Sequence, residues 1–257
     1  MRRIVLVLVI VFSAINVGYA QCGSERYTKL LEKKYSYKIY CQFEPAVFFN
    51  PHAWGGFAYD LKGKQITRRD YRKALVSLER FSKKYPLDIL KNNLREVYLA
   101  KELTYKGNSF GGSYRAGIIL MSYDHHYDTI QFVEKEFHHE FSSILMKDRK
   151  NKFYRDVLYS WRRNSGKYYG SVKIHKVTWE DEDDGRGTSR ELLKNGFLVK
   201  YGRTGYENDF NTYAETLFTT PRKIARYSKR YPKVKRKTKI IKEFYCKISN
   251  KFHFCGG

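Results

Sequence analysis

Residues Glu136 to Ser143 read Glu-Phe-His-His-Glu-Phe-Ser-Ser. In the HExxH arrangement, two imidazoles four residues apart share one helix face and bind zinc, while the glutamate after the first activates a metal-bound water. His139 and Glu140 fit the first half of that pattern, and Ser143 stands where the second imidazole belongs. A hydroxyl is a far poorer zinc ligand than imidazole. His138 is an alternative ligand by type, but neighbours on a helix point about 100° apart and rarely reach one ion. Zinc is therefore an expected cofactor with an incomplete ligand set.

A site of this kind needs a helix to carry the histidine and a later element to bring an acid. Ile130, Val133, Phe137, Phe141, Ile144 and Leu145 recur at three- and four-residue intervals, which predicts a helix from Thr129 to about Lys147. The apolar run Ala116 to Met121 predicts one strand before it. A helix from about Glu207 to Phe218 is expected before Pro221, and a final basic helix over Lys235–Tyr245. Upstream, helices are expected from Thr67 to Tyr85 and from Leu87 to about Leu103, separated by Pro86. Shorter helices follow from Lys152 to Arg163 and, capped by Ser189, through Leu193.

Tyr201-Gly202-Arg203-Thr204, then Asp209-Phe210 and Ala214-Glu215, together with His139-Glu140, resemble the zincin metallopeptidases of the type of the anthrax lethal factor catalytic domain. The segment His138 to Leu145 is also similar to zinc metallohydrolase lipoproteins associated with substrate import in bacteria. The resemblance spans roughly residues 87–245 and implies an α+β, zincin-like domain, mostly helical with a small sheet. It implies that His139 is the first zinc ligand, Glu140 the general base and Tyr201 a hydrogen-bond donor to the oxyanion. It places Asp209 as third ligand with Glu207 as its alternative, and Glu215 as the carboxylate that orients His139. A strand over Ser113–Ser122 matches the edge strand on which zincins lay an extended peptide.

The rest of the chain bounds the setting. Arg2 and Arg3 precede an apolar run from Ile4 to Val17 and then Gly18, Tyr19 and Ala20, the order of a secretory signal peptide. The expected organisation is a signal peptide over 1–20, an irregular N-terminal extension over 21–66 and the zincin-like domain over 67–257. Secretion or periplasmic location follows, with lipid anchoring at Cys22 the lesser alternative because Gln21 is not small. Cys22, Cys41, Cys246 and Cys255 are an even set for an oxidising compartment, and pairing within each terminal cluster is expected because it closes small loops. A net charge of +24 favours anionic envelope surfaces as partners, while export makes nucleic acid a weaker one. His125 and His126 read as a polar turn, and Glu180 to Asp184 as a solvated loop.

Two functions compete on this footing. One is an exported zinc metallopeptidase that hydrolyses peptide bonds with a zinc-activated water. The other is a catalytically inactive zincin-fold protein that binds peptides or anionic envelope components.

Overall fold

A computed structural model describes residues 25–49, 60–123, 129–148, 153–169 and 187–256. The expected signal peptide, Cys22, His125, His126 and the acidic loop lie outside the described residues.

A four-stranded sheet is ordered β1-β3-β7-β6, from β1 (Lys38–Tyr40), β3 (Glu96–Ala100), β6 (Gly112–Arg115) and β7 (Ile118–Ser122). β1, β3 and β7 are parallel, and β6 runs antiparallel on β7 as the edge. A second sheet joins β2 (Leu61–Gly63), β4 (Leu103–Tyr105) and β5 (Asn108–Ser109). Strand alternation divides the core in two. Val97, Leu99, Ile119 and Met121 face the large helical cluster. Tyr98, Ala100, Ile118 and Leu120 face a smaller one with Phe48 and Phe49.

The helices in chain order are α1 (Glu25–Tyr35), α2 (Pro45–Phe48), α3 (Arg68–Ser82), α4 (Leu87–Asn93), α5 (Ile130–Lys147), α6 (Tyr154–Arg163), α7 (Arg190–Lys194), α8 (Tyr206–Thr219), α9 (Pro221–Arg230) and α10 (Pro232–Ile248). Side-chain caps set three of their starts: Thr67, Thr129 and Ser189 each accept a hydrogen bond at 3.1 Å from the amide three residues on. Helix α5 is buried over most of its length and packs against both α3 and α8.

Three expectations change. The helix expected from Leu87 to Leu103 stops at Asn93, and β3 follows. A strand covered on both faces is an unbroken apolar run, which a helical period also fits. The single strand expected over Ser113–Ser122 is a hairpin, turned by Ala116 at φ 42° and Gly117 at φ 84°. Two left-handed residues make the tight turn whose twist matches paired strands. The segment read as an N-terminal extension is integral to the fold, because β1 pairs with β3 and Leu31, Tyr35 and Tyr37 enter the main core.

Cys246 and Cys255 are bonded to each other, as their spacing suggested. Cys41 is also disulfide-bonded, and its expected partner Cys22 falls outside the described residues. No helix among the described residues is long and apolar enough to cross a membrane.

Candidate functional site at the crossing of two helices

The candidate chemistry sits where α5 crosses α8. Two helices packed in opposite directions present residues four apart in reverse order to one another. Glu215 on α8 meets His139 on α5, with its carboxylate 2.6 Å from Nδ1. One turn earlier on α8, Asn211 donates its amide to Ser143, one turn later on α5, at 2.7 Å. Ser143 Oγ in turn donates to Glu207 at 2.9 Å. The stripe Glu207, Asn211, Glu215 therefore faces the stripe Ser143, His139.

Three of the residues that the resemblance named, besides His139, lie at or beside this crossing. Glu215 holds His139 through its Nδ1, which fixes the orientation of the ring. The Tyr201 ring, in the 3-10 turn Lys200–Thr204, lies 5.9 Å from the His139 ring. Glu140 is buried beneath the edge strand, and a Cβ at Gly112 would come within 3.2 Å of its Oε1. Glycine at 112 is thus what lets β6 pass over that carboxylate.

The proposed ligands fare differently. Asp209 is fully buried on another face of α8, where its Oδ2 accepts from Lys237, from Trp161 at 2.9 Å and from Tyr168 at 2.7 Å. Two residues along a helix turn a side chain by about 200°, so Asp209 cannot share the face of Asn211. Glu207 does share that face, but its carboxylate is taken by Ser143, the Tyr114 hydroxyl of β6 and Lys147 at 3.2 Å. His138 is buried in the aromatic core, stacked on Phe218 and hydrogen-bonded to Tyr85 at 3.1 Å.

Asn211 is therefore the α8 residue that faces position 143, one turn before the carboxylate on His139. Sequence reasoning missed it by looking for an acid. The signal was available: a residue that meets position 143 must precede Glu215 by one turn on the same face, which is Asn211.

Zinc in such sites takes three protein ligands drawn from imidazole, thiolate or carboxylate, plus a water. Here the crossing offers one imidazole, one hydroxyl and one amide, the last two bonded to each other, and the one carboxylate beside them, Glu207, is held by Ser143, Tyr114 and Lys147. Among the described residues no group of three or more His, Cys, Asp or Glu is arranged to hold a metal ion. The donor set does not fit zinc.

Electrostatics at the crossing are governed by buried charge. Burial pushes the Glu140 carboxyl up to about 8, helped by Glu136, Glu207 and Glu215 and opposed by His139. Burial pulls the His139 imidazole down, but the Glu215 hydrogen bond and the charges of Glu215, Glu140 and Glu136 outweigh it and raise it to about 9. The site thus sets an imidazole held toward its charged form beside a carboxyl held toward its neutral one.

No protein-family model matches the chain, and the curated proteins contain no match. A solved structure does: a putative zinc-binding metallo-peptidase from Bacteroides caccae, at 14% identity and a TM-score of 0.50, over 88% of this chain and 85% of that one. At that identity the likeness is one of fold alone. The chain accordingly shares with that protein an α+β fold, mostly helical with a small sheet.

Proposed function

We propose that this protein is a catalytically inactive zincin-fold protein that binds extended peptides along the free edge of β6. The observation that carries this reading is the hydrogen bond between Asn211 and Ser143, which joins two neutral side chains at the point where a peptidase would place an imidazole and a carboxylate. Among the described residues β6 pairs only with β7, so its other edge offers backbone donors and acceptors for an added strand. Fold can persist without its chemistry. Export through the N-terminal signal, to a periplasmic or extracellular setting, accords with the disulfide and remains part of this proposal.

The competing reading, a zinc peptidase, draws support from the His139–Glu215 hydrogen bond and from Tyr201 and Glu140 lying beside it. A protease assay on untagged protein with zinc added separates the two. Binding without cleavage, unchanged by Glu140→Gln, is the expected result. Hydrolysis that a chelator abolishes and Glu140→Gln removes would establish the peptidase instead.

A further inference from the structure

The edge strand leads from the site into an open cleft of about 650 Å³ whose lining includes Asn92, Arg95, Tyr114, Arg115, Ile144 and Lys147. Gly112 lies over Glu140 at one end of β6, and Arg115 is three residues further along. At about 3.4 Å per residue that is roughly 10 Å, so a peptide added to the edge reaches the cleft about three residues from the site.

The chemistry of the cleft is cationic. Arg95 is exposed, and its guanidinium is fixed against the hairpin turn by donation to the Ala116 carbonyl at 2.8 Å. Guanidinium carries five N–H donors, so this bond orients the group while leaving donors for a second acceptor. Arg115 is exposed at the end of β6, and among the described residues no carboxylate pairs with it or with Arg95. Lys147 contributes a third cation, shared with Glu207 and set over the Tyr114 ring at 4.8 Å. A guanidinium fixed against the turn, with a second exposed one in the same lining, matches a planar carboxylate better than any neutral side chain.

We infer that this cleft reads an acidic side chain, Asp or Glu, on the bound peptide, about three residues from the position over Glu140. The inference rests on the peptide-binding reading above and adds its ligand class.

The test uses the whole protein with three fluorescein-labelled, C-terminally amidated peptides, (Thr-Glu)4, (Thr-Gln)4 and (Thr-Lys)4, by fluorescence anisotropy at physiological ionic strength. The expected result is that (Thr-Glu)4 binds at least about tenfold more tightly than (Thr-Gln)4, with (Thr-Lys)4 weakest. Because the whole surface is basic, the decisive comparison is between variants. Arg115→Gln, alone and with Arg95→Gln, should remove most of the Glu preference, weakening (Thr-Glu)4 binding at least about fivefold more than (Thr-Gln)4 binding. A control pair on α9, Lys229→Gln with Arg230→Gln, should change it by no more than about twofold through general charge. Equal losses from both pairs, or no preference for Glu over Gln, would overturn the inference while leaving peptide binding intact. Failure of all three peptides to bind would overturn both.

Discussion

Ser143 and Asn211 decide the chemistry at the residue scale, because each is a neutral side chain where the zincin resemblance would put a metal ligand, and the two are hydrogen-bonded to each other. Restoring one ligand alone leaves only two, which is too few for tight zinc binding. Ser143→His with Asn211→Glu supplies three ligands around a histidine that Glu215 already orients. The double variant is expected to gain at least about a hundredfold in zinc affinity over the parent, with either single change giving much less. Competition with a chromophoric chelator measures this, and equal affinities for all four proteins would show that the ligand positions are misassigned. Asp209 marks the limit of reading by residue type. The sequence presents an acid beside an aromatic residue, yet which face of α8 it occupies follows only from the bond between Glu215 and His139.

At the scale of elements, α5 and α8 hold the site because their outer faces are tied into the core. Burial pushes the Lys237 ammonium down to about 8 and the Asp209 carboxyl up, and each pulls the other back toward its charged form. Replacing Asp209 by Ala strands a buried lysine, at a cost of about 3–5 kcal/mol in chemical denaturation. A loss under about 1 kcal/mol would mean that the pair is not buried as described. His138 gives the crossing an acid sensitivity. Burial lowers it to about 4, so the unfolded chain takes up its proton first as pH falls. Its stabilising contribution is complete above about pH 6.5 and is lost between there and about 4, on the order of 3 kcal/mol. His138→Phe should flatten that part of the stability profile. The long helices were legible because their apolar period was sustained, and Thr67 and Thr129 cap the starts of two of them. β3 was hidden because burial on both faces removes alternation, and the hairpin was hidden because Ala116-Gly117 lacks the usual Asn or Asp of such turns.

For the whole molecule, the sequence announced a basic protein more clearly than it announced what the protein holds. The net charge of +24 says that anions are drawn to the surface, and the cleft beside β6 says where a carboxylate could be read specifically. The N-terminal segment, irregular in composition, becomes part of the fold only through pairing of β1 with β3, a contact between residues nearly sixty positions apart. At the other end, the Cys246–Cys255 bond closes a short loop that packs Phe252 and Phe254 onto Tyr245 and Phe218. A loop of that length contributes about 3 kcal/mol on chain-entropy grounds, so replacing both cysteines with serine should lower the thermal midpoint by several degrees. An unchanged midpoint would show that the aromatic packing alone holds that end.

Elemental analysis of the untagged protein, dialysed against zinc and then against buffer, tests the central claim most directly. The account predicts retained zinc well below one ion per chain, because a lone imidazole beside a hydroxyl and an amide cannot hold it. One tightly held zinc per chain, lost on His139→Ala, would contradict it.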